Sequence, residues 1–165
     1  MAAGTGLLKS IDFEPALDFG NVYAQNDVLF ITTEITGVGR VKGANVSLNS
    51  IHMVDVDDEP DTQIQLIFFR TNVVIDAFNV AFGALTDAES QEIATVVDFD
   101  GTDVTVIVPI DLTDNKYYAL EGLAQQIALD PDSTSLWVAG ILRSATTPTY
   151  AGATDLKFKL GFTQD

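Results

Sequence analysis

Few residues in this chain are equipped for chemistry. There is one histidine, His52, and there is no cysteine. Thiolate metal sites, Cys nucleophiles and disulfides are therefore excluded. His52 sits between Ile51 and Met53 in an apolar, extended-looking run. A metal ligand or general base there needs partners from elsewhere in the chain. No Gly-x-Ser-x-Gly element supports a Ser–His–Asp arrangement, so the reading is a strand-face or core histidine. Two acidic runs come close to calcium loops. Asp55, Asp57, Glu59 and Asp61 alternate as such ligands do, but Pro60 stands where a glycine is needed and Leu66 occupies the closing position. Asp98, Asp100 and Asp103 surround Gly101, with Ile107 at the closing position. Both runs read as solvated turn acids. Among so many carboxylates no pair stands out for glycoside cleavage. Trp137, Tyr117, Tyr118 and Tyr150 are candidates for a sugar-stacking surface, although Trp137 lies within SLWVAGIL, where a core role fits better. Gly37, Gly39 and Gly43 lack the Gly-Lys-Ser/Thr and the following helix of a phosphate loop. The expectation is a protein with no catalytic residues, no cofactor and no metal.

The elements that would position these residues read as β-strands. Asn45 to Arg70 contains two apolar extended segments joined by the acidic, proline-containing turn Asp57 to Asp61. Ile64, Leu66 and Phe68 alternate with Gln65, Ile67 and Phe69, which implies burial on both faces. Val46, Leu48, Val54 and Val56 are assigned one face, and Ile51 and Met53 the other. The whole stretch is expected to be a long central hairpin. Other strands are expected at Leu7 to Phe13, Leu17 to Tyr23, Asp27 to Ile35, Ala94 to Phe99, Leu123 to Leu129, Ser135 to Arg143 and Leu156 to Phe162. In the last, Leu156, Phe158 and Leu160 point inward, and Lys157 and Lys159 outward. Asn72 to Ile75 looks extended, and Asn79 to Leu85 is a strand or loop. Asp100-Gly101 suggests a hairpin returning through Val104 to Val108. Asp111 to Leu120 reads as a polar connection. Thr86 with Glu89 three residues later is a capping box, so one short helix starts there. Short strands punctuated by Gly, Pro, Asn and Asp indicate an all-β antiparallel sandwich or jelly roll.

The chain has 165 residues, which suits one β-sandwich domain over 1–165, with 1–10 as an N-terminal arm. Its formal net charge is −16. Such a surface repels phosphate backbones and anionic membranes, so neither nucleic acid nor membrane is an expected partner. The first residues lack the basic region and apolar run of a signal peptide. No uninterrupted apolar segment approaches the ~20 residues that span a bilayer.

A set of ordered pieces resembles a group of small virion proteins of tailed bacteriophages, similar to those encoded near the major capsid protein. The pieces are Arg40-Val41-Lys42-Gly43 leading into Ser47 to Val56, then the acidic turn, then Ile64 to Phe69. The helix start Leu85-Thr86-Asp87-Ala88 follows, then Thr146 to Tyr150 and Asp155 to Phe158. They cover the chain from about residue 40 onward. The resemblance implies a non-enzymatic jelly-roll module that decorates or cements a capsid, commonly as a homotrimer. Its implied partners are the major capsid protein and further copies of itself. Its implied location is the outer capsid surface, after synthesis in the host cytoplasm. The alternative is a carbohydrate- or receptor-binding β-sandwich of a phage tail.

Overall fold

The computed structural model describes residues 6–57, 63–99 and 116–164. The described chain forms β1 (Leu7–Phe13), β2 (Val28–Ile35), β3 (Asn45–Asp55), β4 (Ile64–Phe69), α1 (Asp87–Gln91), β5 (Ile93–Phe99), β6 (Lys116–Ala128), β7 (Leu136–Leu142) and β8 (Leu156–Gln164). Two four-stranded sheets result, in the orders β1-β8-β3-β6 and β2-β7-β4-β5. All the strand pairs are antiparallel. Of successive described strands, only β4 and β5 share a sheet; every other step crosses the sandwich. That wrapping is the jelly roll, an antiparallel sandwich of eight strands.

The expected central hairpin is therefore corrected. β3 and β4 lie in opposite sheets, and β3 pairs with β6 and β8 instead. Alternating apolar residues state which faces are buried, not which strand lies alongside. The face assignment within β3 changes as well. Both of its ladders slip between Leu48 and Ser50, so one residue is absorbed as a bulge. Val46 and Leu48 then share the core face with Ile51 and Met53, all at 0% exposure, while Val54 is only half-buried and Val56 is exposed. In β4 the expectation holds. Ile64, Leu66 and Phe68 enter the sandwich core, whereas Ile67 and Phe69 belong to a second apolar cluster on the outer side of their sheet. There Val73 is buried, and Ile75, Phe82, Leu85 and Trp137 pack against the cluster.

Leu17 to Tyr23 and Asn72 to Ile75 are not strands; their backbones take irregular paths. Near Ala81 there is a single bridge, to Asp27. Tyr117 to Leu120 is the first half of the long β6 rather than a connection. The Asp100-Gly101 turn and the Val104 to Val108 strand lie outside the described residues. Residues 7–10 of the arm are part of β1, paired with β8 from Leu7↔Gln164 to Phe13↔Phe158. The β8 alternation is as expected, with Leu156, Phe158 and Leu160 buried and Lys157 and Lys159 exposed.

Helix α1 begins on the expected capping box. The Thr86 Oγ1 accepts from the Glu89 backbone N–H at 3.3 Å, and Glu89 accepts from the Thr86 N–H at 2.8 Å. These bonds from Thr86 hold the Glu89 carboxyl below its usual range.

Inside the sandwich, Gly140 of β7 stands directly across from Phe30 of β2. A Cβ built on Gly140 would lie 2.6 Å from the Phe30 Cζ and 2.7 Å from its Cδ1, so the ring occupies the space a side chain would need. Phe30 also meets Phe13 and Phe158, each with ring centroids 5.8 Å apart. At one end of the core the fully buried Tyr23 accepts from the Asp18 N–H at 2.7 Å and donates to the Leu29 carbonyl at 3.2 Å. Burial, chiefly, pushes its hydroxyl up to about 12.

Candidate functional site

The outer faces of the two sheets differ. The β2-β7-β4-β5 face carries the second apolar cluster, whereas the β1-β8-β3-β6 face is polar. Cross-strand register lines up its side chains in rows. One row runs Asp12 (β1), Lys159 (β8), His52 (β3) and Ala119 (β6). A second runs Lys157, Val54 and Tyr117; a third runs Ser10, Gly161, Ser50 and Glu121. Ion pairs join Lys159 to Asp12 at 3.6 Å and Lys157 to Glu14 at 3.5 Å. Pairs this exposed are worth about 1 kcal/mol or less each.

His52 is the centre of the arrangement. Its partner across the ladder is Ala119, too small to compete for the space, so the imidazole has room between Tyr117 and Glu121, two residues to either side. Nε2 lies 2.7 Å from the Glu121 Oε1, and Nδ1 is hydrogen-bonded to the Tyr117 hydroxyl. The His52 and Tyr117 rings meet edge-on, with centroids 5.7 Å apart. In the neutral ring, Nε2–H donates to the carboxylate and Nδ1 accepts from the phenol. His52 is thus the strand-face histidine that the sequence indicates. The Tyr117 and Glu121 partnership was hidden because 117–120 read as a connection. Once Lys116–Ala128 is a strand, Tyr117, Ala119 and Glu121 fall on one face.

Two shallow depressions of about 360 Å³ each flank His52 on this face. One is lined by Asp12, Glu14, Tyr117, Lys157 and Lys159, the other by Lys9, Ser10 and Asn49. They are at the small end of ligand-site volumes. The other sequence candidates do not gather here. Tyr150 is buried in the core against Tyr23, and Tyr118 packs edge-on to Phe99. Trp137 is half-buried and packs against the second apolar cluster, on the outer side of its sheet. No sugar-stacking platform forms from the four aromatic residues.

Among the acids, Asp55 is fully buried and accepts from the Asp57 N–H, while Asp57 accepts from the Ala151 N–H at 2.7 Å. Asp98 accepts from Gln65 at 2.7 Å. Each of these carboxylates is engaged in holding a turn or a strand pair. Glu59, Asp61, Asp100 and Asp103 lie outside the described residues. Among the described residues, no group of three or more His, Cys, Asp or Glu side chains is placed to hold a metal ion.

No family model matches this chain, and no curated protein matches it. Among solved structures it is similar to a chain from Desmodium yellow mottle tymovirus, at 12% identity and a TM-score of 0.31, covering 98% of this chain and 82% of that one. A chain from a marine algae virus of the order Picornavirales matches at 10% identity and 0.26, covering 96% and 69%. One from infectious bursal disease virus, strain Gx, matches at 8% and 0.30, covering 96% and 38%. Likeness of this degree carries no argument about function.

Proposed function

We propose that this chain is a non-enzymatic structural protein of a virion: a decoration or cement protein that binds and stabilises the head shell of a tailed phage. The observation that carries the proposal is the jelly-roll strand order, a wrapping used by viral capsid domains and by lectins. Between those two uses, the dispersal of Tyr117, Tyr118, Trp137 and Tyr150 favours the first, since these four residues do not make the shared stacking surface that the second reading rests on. Most of the sequence pieces that resemble phage virion proteins fall at elements of this fold, while Thr146 to Tyr150 lies in irregular chain between β7 and β8. Those elements are the loop entering β3, β4, the N-cap of α1 and the start of β8. The major capsid protein and further copies of the chain are its partners, on the outer surface of the particle.

Quantitative mass spectrometry of purified particles tests this. A copy number comparable to that of the shell protein is expected. A copy number in the range of a tail appendage would transfer the protein to the tail reading, and absence from particles would overturn both.

A further inference from the structure

We propose that β1 is an association edge, pairing antiparallel with the β1 of a second copy about a two-fold axis at Ser10. Each four-stranded sheet has two edges, and a free edge invites another strand unless it is blunted. Three of the four edges here are blunted. β2 is covered by the segment after β4: Val28 donates to Val80, Asn79 donates back to Val28, and the Thr32 hydroxyl donates to Val73. β5 leans across the sandwich toward β6, with Thr95 donating to Gln125 at 3.4 Å. β6 is kinked by left-handed residues at Gly122 (φ 72°) and Ala124 (φ 50°). Among the described residues β1 has none of these devices. Its ladder with β8 is unbroken over all seven residues, and among the described residues its backbone makes no other hydrogen bond. Leu7 and Leu8 are 53% and 79% exposed upon it.

Charge and register select a second copy as the occupant. The strand LLKSIDF carries one Lys and one Asp, so it is neutral in a chain whose formal charge is −16. Copies can meet there with the least repulsion. A two-fold axis perpendicular to the sheet requires each residue to face one of the same parity. Centring on Lys9 or Asp12 would set like charges directly opposite, which is destabilising. Centring on Ser10 pairs all seven residues: Leu7 with Phe13, Leu8 with Asp12, Lys9 with Ile11, and Ser10 with its own copy. The product is one continuous eight-stranded sheet with β1 strands at its centre.

The test exploits the absence of cysteine. Directly opposed strand residues have Cα atoms about 4.5–5.5 Å apart, within disulfide reach. Ser10→Cys should therefore form a disulfide-linked dimer under mild oxidation, whereas Leu8→Cys alone should not. Light scattering should show a reversible dimer that tightens as salt rises from low to about 0.15 M, because screening reduces repulsion between the acidic bodies. Leu8 faces solvent, so changing it leaves the fold intact. Leu8→Asp, set opposite Asp12, should weaken the dimer about tenfold, and Leu8→Lys should tighten it by a similar factor. A monomer at all concentrations, a trimer without the Ser10 cross-link, or Leu8→Asp and Leu8→Lys acting in the same direction would each overturn the proposal. It goes beyond the virion reading and does not depend on it. Absence from particles would remove that reading and leave the β1 dimer standing.

Discussion

Substituting Gly140 puts the packing of the sandwich to a sharp test. The position is on the inner side of β7, and its cross-strand partner is Phe30. In Gly140→Ala the new Cβ would sit 2.6 Å from the ring Cζ, well inside van der Waals contact. Phe30 cannot swing aside freely, because Phe13 and Phe158 flank its ring at 5.8 Å between centroids. Forcing an extra methyl into a filled core costs about 1–3 kcal/mol. Against this, removing a strand glycine recovers about 0.5–1 kcal/mol of backbone entropy. The net expectation is a loss of roughly 1–2 kcal/mol, a small difference between the two terms. Trimming the ring is expected to create the space: Phe30→Leu alone opens a gap at Gly140, and Gly140→Ala in that background refills it. Urea titration of the four proteins gives the coupling. The double variant should be more stable than the sum of the single losses predicts by about 1 kcal/mol or more. Additivity within about 0.5 kcal/mol would show that the ring does not depend on the glycine.

Three further outcomes are expected. Tyr23 has a folded value of about 12, above the ordinary 10 of an unfolded chain, so its contribution is complete below pH 10. It is lost as pH rises from 10 to about 12, by roughly 3 kcal/mol in all, and Tyr23→Phe should flatten that part of a stability–pH profile. Met53→Ala and Phe68→Ala should cost about 2–5 and 3–5 kcal/mol, whereas half-buried Val54→Ala should cost clearly less than either in the same denaturant assay; equal losses at Met53 and Val54 would refute the β3 bulge. Thr86→Ala should cost about 1 kcal/mol by removing the N-cap of α1, and the Glu89 half of the box should fail only in acid, below the ordinary carboxylate range, as read by helical circular dichroism across a pH series.

What was legible in the sequence was local. The capping box at Thr86 and Glu89, the two-sided burial of β4 and the Leu156–Phe158–Leu160 alternation are set by residues close to one another along the chain. What was not legible was partnership. The acidic turn after Asp55 reads as the tip of a hairpin, yet β3 and β4 lie in opposite sheets, because burial on two faces is compatible with either. The β3 bulge is not legible because Asn49 and Ser50 are polar residues that fit either phase of the pleat. The first half of β6 is not legible because Lys116, Tyr117 and Tyr118 have the composition of a solvated connection. The partners of His52 lie in that same half of β6 and just beyond it. A site assembled across strands depends on the register of β3 against β6, a relation between distant segments that no local pattern encodes.

The place of β8 has a consequence for how the molecule is made. The last described strand to be synthesised lies between β1 and β3, the interior position from which both neighbours take their hydrogen bonds. Until Leu156–Gln164 has left the ribosome, β1 has no described partner, and one side of β3 stays open along its length. Folding of this half of the sandwich is thus deferred until β8 has been made, and pairings between such distant segments form slowly, on the order of milliseconds to seconds. During that interval the apolar residues of unpaired β1 and the open edge of β3 are exposed, the condition under which nascent chains associate wrongly or engage chaperones. A chain stopped just before Leu156 would remain in that state, with β1 unpaired and only β3 and β6 of this sheet joined.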